Sequence, residues 1–288
     1  MSLRAGTKLG PYEIVAPLGA GGMGEVYRAH DSRLGRDVAI KVLPASRSGD
    51  QAALERFERE ARAASALNHP NIVTIYDVGR AKGELGDVSY IAMELVEGTS
   101  LRQSISTGPL EIDLLAEVAL QTAQALAAAH SKGIVHRDLK PENIFLVRGE
   151  AGETAKVLDF GIARFLSPPV LESGTEETAD AGSVGLVGTV RYMSPERLRG
   201  GKVSVGWDLW ALAVVSYEAL AGAHPFAGRT VAEISKAVLG GQLIPISRHV
   251  PGAPASWVAF FSRALSPNPA IRPKSGAEFF SELERVLY

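Results

Sequence analysis

The sequence predicts an α+β fold in two lobes, a small antiparallel β lobe with one main helix and a larger, mostly helical lobe. Three observations predict it. Short β-branched and aromatic runs crowd the first third of the chain. Helical periods dominate the rest. Between the two regimes lies "EGTS" (97–100), a short polar connection containing glycine. Two lobes joined this way leave a cleft at the seam.

The runs "YEIVAPLG" (12–19), "GEVYRAHD" (24–31) and "RDVAIKVL" (36–43) read as strands, separated by Gly or Asp-Ser turn signals. From Asp50, a candidate N-cap, the period becomes helical. Leu54, Phe57, Ala61, Ala64 and Leu67 mark one face until Asn68-His69-Pro70 stops it. Two further strands are expected at 71–79 and 88–96, joined by "RAKGELGD". Residues 111–132 form a long helix ending at Lys132-Gly133. Residues 207–221, "WDLWALAVVSYEALA", are apolar nearly all round, the mark of a helix buried on every side. More helices are expected at 231–239, 255–265 and 276–287. Residues 166–185 are rich in Ser, Thr, Pro and Gly, with acidic residues and no basic one, so this segment is expected to be mobile.

Composition narrows the function. The chain has 288 residues, 46% hydrophobic and 22% charged, enough for a substantial core. A formal net charge of −2 gives no reason to expect nucleic acid or an anionic membrane surface as partner. No cysteine is present, which excludes disulfides and thiolate metal sites and suits a reducing compartment. The N-terminus lacks a signal-like apolar run, and no uncharged apolar stretch approaches the ~18 residues of a membrane span. The expectation is a soluble, cytoplasmic chain.

Four motifs carry chemistry. "GAGGMGEV" (19–26) fits G-x-G-x-x-G-x-V, where glycines let the backbone approach phosphate oxygens. Alone it reads equally as a tight hairpin. A dinucleotide site needs a helix directly after the glycines, and Glu25–Arg28 continue as a strand instead. "VAIK" (38–41) places Ala39 and Lys41 on one strand face and Val38 and Ile40 on the other. A lone strand lysine usually faces water. This one becomes interesting if the following helix brings a glutamate to it. Glu55, Glu58 and Glu60 compete for that place, and Glu60 lies nearest the inward stripe. "HRDLKPEN" (136–143) crowds both signs of charge onto a stretch with neither helix nor strand period. A carboxylate beside a cation, as in Asp138 and Lys140, can accept a proton while the cation steadies a transferring phosphate. In "KVLDFGIAR" a strand-like run meets Asp159. Asp159 and Asn143 are both oxygen donors on turns, suited to Mg²⁺.

Together these motifs, with "SPE" (194–196) and Arg272, resemble the eukaryotic-type serine/threonine protein kinases, notably the bacterial PknB-like group, over about residues 12–280. The resemblance implies a bilobal kinase fold, with a small lobe of about 12–96 and a large lobe of about 97–280. It implies transfer of the ATP γ-phosphoryl group to Ser or Thr of protein substrates, with ATP and Mg²⁺ as cofactors. Carried over, Leu18, Gly19, Ala20, Gly21, Gly22, Met23 and Gly24 would cover the nucleotide. Val26 and Ala39 would roof the adenine and Phe145 would floor it. Met93 would sit at the back, with the backbone of Glu94 and Val96 bonding the base. Lys41 would hold phosphates and pair with Glu60. Asp138 would take or orient the acceptor proton, Lys140 would neutralise the γ-phosphoryl group, and Asn143 and Asp159 would hold the metal. Thr189 would close against Lys140 and Asp138.

Other residues read as structural. His136, Phe160 and Trp210 belong to the core, Asp208 braces the catalytic loop, and Glu196 pairs with Arg272. Asp31 and Asp77 are expected in solvent. The resemblance also implies self-phosphorylation at Ser167, Ser173, Thr175, Thr178 or Ser183, with Arg137 as the phosphate's partner. Glu172, Glu176, Glu177 and Asp180 would otherwise serve that arginine. Pairing of two copies through the small lobe is a further implication. The competing reading is a pseudokinase-like scaffold that binds nucleotide and partners with little catalysis. It usually lacks the counterpart of Lys41, Asp138 or Asp159, all present here.

Overall fold

The computed structural model describes residues 3–21, 24–43, 51–83, 86–150, 152–160 and 188–288. The small lobe is a sheet of β1 (Lys8–Leu9), β2 (Tyr12–Gly21), β3 (Gly24–Asp31), β4 (Arg36–Val42), β5 (Ile75–Gly83) and β6 (Gly86–Met93). Their spatial order is β1-β2-β3-β4-β6-β5, with every neighbouring pair antiparallel. Helix α1 (Gln51–Ser65) connects β4 to β5.

Strand alternation sorts the side chains onto two faces. Tyr27, Ile40 and Ala92 align across β3, β4 and β6, and with Tyr12, Ile14 and Val38 they bury one apolar cluster. One step along, Val26, Lys41 and Ile91 align on the opposite face, as do Ala39 and Met93. There Ala39, Ile91 and Met93 share a buried cluster with Phe57, Ala61 and Ala64 of α1. The sheet is therefore closed on one side and opens toward the seam on the other.

Two strands differ from expectation. β5 begins at Ile75 rather than at residue 71, because 71–73 leave the sheet to pair with the large lobe. Val157 N–H donates to the Asn71 carbonyl (2.8 Å), and Val73 N–H to that of Val157 (3.0 Å). β6 stops at Met93 because Glu94 N–H turns to the Thr74 carbonyl (2.8 Å). Asp31 also departs from expectation. It is 1% exposed and accepts the Arg33 backbone N–H (3.0 Å), so this carboxylate closes a turn rather than meeting water.

The large lobe holds α2 (Leu101–Ser106), α3 (Ile112–Ser131), α4 (Pro195–Leu198), α5 (Gly206–Ala221), α6 (Val231–Leu239), α7 (Ala255–Ala264) and α8 (Gly276–Leu287). A second sheet, β7 (Thr99–Ser100), β8 (Ile144–Gly149) and β9 (Gly152–Val157), lies in the order β7-β8-β9. Every residue of α5 from Asp208 to Ala221 is buried, as its all-round apolarity predicts. That helix ends at Gly222, whose φ of +63° favours glycine, with the Gly222 N–H on the Glu218 carbonyl (2.8 Å). Helix α3 has the length and hydropathy of a membrane span, but about half of it is buried inside the lobe, as in the core helix of a globular domain.

Candidate active site

The stretch 136–143 runs between α3 and β8 and is held by its own main chain. Asp208, in the first turn of α5 and 1% exposed, accepts the backbone N–H groups of His136 and Arg137, each at 2.8 Å. Asn143 donates through Nδ2 to the Asp138 carbonyl (2.8 Å) and to Asp138 Oδ2 (3.3 Å). His136 and Phe160 are buried edge to face, with ring centroids 4.7 Å apart. Two residues with side chains adopt left-handed backbone here, Arg137 at φ +69° and Asp159 at φ +64°. Each such residue costs about 1–3 kcal/mol and persists only where its surroundings over-determine it.

Three groups form a line at the floor of the seam. Lys140 Nζ lies 2.8 Å from Asp138 Oδ2 and 3.4 Å from Thr189 Oγ1. All three residues sit in or next to buried surroundings, with Asp138 4% and Thr189 8% exposed. Facing them from the small lobe, Lys41 Nζ donates to Asp159 Oδ2 at 2.7 Å. Burial alone would raise the Asp159 carboxyl, but the charge and hydrogen bond of Lys41 outweigh it and hold the carboxyl below its usual range.

The expected Lys41–Glu60 pair is not formed. Glu60 instead meets Arg137, with Nη1 3.3 Å from each carboxylate oxygen. The reason is charge balance. Lys41 is 5% exposed and requires a close anion, and the left-handed backbone of Asp159 turns its carboxylate there. Glu60, at the border of the α1 stripe, then serves the other partly buried cation. The acidic residues expected around Arg137 fall in 161–187, outside the described residues. So do Gly22, Met23, Asp50, Gly161 and the five candidate phosphorylation positions. Ala20 and Gly21 are described through their backbone, opposite Glu25 and Gly24.

The remaining nucleotide-site candidates converge on one sheet face. Gly19 pairs with Val26, Val26 with Lys41, and Ala39 with Met93. Leu18 is exposed on β2, and Phe145 is partly buried on β8 opposite Ser100. Because the Glu94 N–H is committed to Thr74, its carbonyl and the Val96 N–H are the groups left to meet a base. Met93 lines a small cavity behind Asp159 with Ile75, Ala64 and Phe160.

A divalent cation fits this donor set. Asp159 Oδ1 is buried without a hydrogen-bond partner, which is the condition of a carboxylate oxygen that meets a cation. Asn143 offers its amide oxygen, since its Nδ2 faces Asp138. No group of three or more His, Cys, Asp or Glu among the described residues could hold a metal unaided. Two protein oxygens are what a metal completed by water and phosphate requires.

Sequence reasoning missed two clusters. Arg102 on α2 reaches Glu142 (2.8 Å), Glu218 (2.9 Å) and the Tyr192 hydroxyl, and Tyr192 donates to Glu218 (2.5 Å). The signal for α2 was Ser100-x-x-Gln103, a capping box that the structure forms in both directions. Arg197, on α4, donates through Nη1 to the Arg137 carbonyl.

A protein kinase domain model matches residues 12–276. The chain is 41% identical over 276 residues to the serine/threonine-protein kinase PknB of Mycobacterium tuberculosis, covering 96% of this chain and 42% of that protein. It is 39% identical over 278 residues to the serine/threonine-protein kinase pkn2 of Myxococcus xanthus, covering 95% and 32%. The chain thus spans less than half the length of these relatives. The crystal structure of the Mycobacterium tuberculosis PknI kinase domain superposes with a TM-score of 0.74 at 28% identity, covering 99% of each chain. With its two-lobed fold and the matched length, the chain belongs to the protein kinase domain family.

Proposed function

We propose that the chain is an ATP-dependent serine/threonine protein kinase, whose protein substrates include its own 167–189 segment. The observation that carries this reading is the line Asp138–Lys140–Thr189. A carboxylate, a cation and the hydroxyl of a segment able to shape a peptide groove lie within hydrogen-bonding reach. The acceptor hydroxyl oxygen attacks the γ-phosphorus, its proton passes to Asp138, and the bond to the β–γ bridging oxygen breaks to leave ADP. Lys140 steadies the transferring charge from the acceptor side, and Lys41 serves the α- and β-phosphates from the small lobe. The family uses ATP and a divalent metal; we take the metal as Mg²⁺, held by Asn143 and Asp159, which when bound neutralises phosphate oxygens. Thr189 beside Lys140 leaves room for a short aliphatic hydroxyl, which supports Ser and Thr over Tyr as acceptors.

Incubation with ATP, Mg²⁺ and a generic protein substrate, followed by phosphoamino-acid analysis, tests the reading. Phosphoserine and phosphothreonine are expected; mainly phosphotyrosine would overturn the acceptor assignment. The Glu60–Arg137 pair favours a second reading, a nucleotide-binding scaffold, because it holds Glu60 away from Lys41. ATP binding in a thermal-shift titration with no phosphate transfer would select it. The cysteine-free composition supports a cytoplasmic location for this domain. We carry over from the family the pairing of two copies through the small lobe, which sedimentation of the wild type tests.

A further inference from the structure

The left-handed residue Arg137, directly before Asp138, is gripped at both of its main-chain polar groups. Its N–H donates to Asp208 of α5. Its carbonyl accepts from the Arg197 guanidinium of α4. Among the described residues, the other main-chain bonds from the His136 N–H to the Asp138 carbonyl are supplied by Asp208, by Asn143 or within the loop by His136 itself. Arg197 is the one contribution from the α4 side. That guanidinium has its own support, because it lies over the indole of Trp207, 5.3 Å from the ring centroid. Trp207 immediately precedes Asp208, so the first turn of α5 holds Asp208 on the N–H and a platform for the cation on the carbonyl.

From this geometry we infer that Arg197 is a positioning residue for Asp138, with Trp207 as its platform. A charged donor on the Arg137 carbonyl fixes the plane of the 137–138 peptide, and that plane sets the aim of the Asp138 carboxylate. A hydrogen bond from an ionised donor is about twice as strong as a neutral one, and a strained φ needs such an anchor. Arg197 follows Thr189–Ser194 on the chain, so it also ties the acceptor-side segment to the catalytic loop. The nucleotide side, built on Lys41 and the small-lobe sheet, has no part in this grip. The loss should therefore fall on turnover and not on ATP affinity.

The inference rests on the kinase reading for its kinetic test and on the structure alone for its second test. In the kinetic arm, kcat is normalised to nucleotide-binding sites counted by titration. Arg197→Met should lower kcat about tenfold or more, while the Kd for Mg-ATP stays within about twofold. Arg197→Lys, which keeps a cationic donor, should recover part of that loss. Trp207→Leu should lose several-fold and Trp207→Phe less. Adding Trp207→Leu to Arg197→Met should cost little more, since the ring acts through the cation. Multiplying losses, or ATP affinity falling in step with kcat, would overturn the inference. The second arm reads amide hydrogen exchange at 136–139, which needs no catalysis. Faster exchange there in Arg197→Met, at unchanged thermal midpoint, is expected, with Arg197→Lys intermediate. Unchanged exchange refutes the positioning role whether or not the wild type transfers phosphate. An inactive wild type with faster exchange in the variant refutes the kinase reading and leaves the positioning role standing.

Discussion

At the scale of single residues, the site is a matter of which carboxylate each cation holds. Asp138 already rests against Lys140, so its carboxylate is aimed before a substrate arrives. General-base help is worth about 10²–10⁴ in rate, and Asp138→Asn should lose that much turnover with its ATP affinity retained in a titration. Arg137 poses the subtler question. Its guanidinium is held by Glu60, so a phosphate on the neighbouring segment has to compete for a cation that is already paired. Displacing Glu60 would free it to approach Lys41. Arg137→Gln removes the contest: unphosphorylated activity should equal or exceed wild type, and the gain from preincubation with ATP should vanish. A variant that keeps a normal phosphorylation-dependent gain would show that Arg137 is not the phosphate's partner.

At the scale of elements, the large lobe is stapled by ion pairs that join segments far apart in sequence. Glu196 on α4 receives Arg272 through two bonds, at 2.9 and 3.0 Å, and Arg272 also lies over the Trp210 ring at 4.7 Å. Burial would raise the Glu196 carboxyl, but the hydrogen bond from Arg272 outweighs it and holds it below its ordinary value of 4.5. A carboxyl with a lowered folded value contributes stability that is fully present above about pH 4.5 and is lost as pH falls through the lowered value. Arg272→Met should cost at most about 3 kcal/mol in denaturant titrations at neutral pH, because Glu196, partly reachable by water, is left without its cation. Glu196→Gln should flatten the acid limb of the stability profile. This pair was legible in sequence through motif order, as were Asp138, Lys140, Asn143 and Asp159, each of which lies in a contiguous signature. What stayed hidden were partners set by three-dimensional proximity alone. The Glu60–Arg137 pair spans 77 residues and depends on where α1 sits. The β8–β9 hairpin shows only at its two ends, as the apolar "IFLV" and the strand-like run before Asp159, because the 148–153 stretch between them is charged and glycine-rich. Six-residue α2 is too short for periodicity to show.

At the scale of the whole molecule, the two lobes are joined on more than the 94–98 connection. Residues 71–73 leave the small-lobe sheet and pair with Val157 of β9, so part of the small lobe's chain is ordered by the large lobe. Asn71 secures this crossing. It is 5% exposed and donates through Nδ2 to Gln121 Oε1 (2.7 Å) and the Ala155 carbonyl (2.9 Å). Gln121 on α3 accepts in turn from the Ala155 backbone N–H (2.7 Å), so one amide pair fixes helix, hairpin and crossing strand. Replacing Asn71 by Leu keeps the bulk and removes the donor to the Ala155 carbonyl, at a cost of about 1–3 kcal/mol, while Gln121 Oε1 keeps the Ala155 N–H. The cost falls on the contact between lobes, so cooperativity should change as well as stability. All three tryptophans, Trp207, Trp210 and Trp257, lie in the large lobe, so their fluorescence reports that lobe, while far-ultraviolet circular dichroism reports both. In the wild type the two urea transitions should coincide, the signature of one cooperative unit. In Asn71→Leu the dichroism should begin to fall at lower urea than the fluorescence, as the small lobe melts first. Coincident transitions in the variant, shifted together, would mean that the lobes are coupled through the 94–98 connection and the α1 contacts instead.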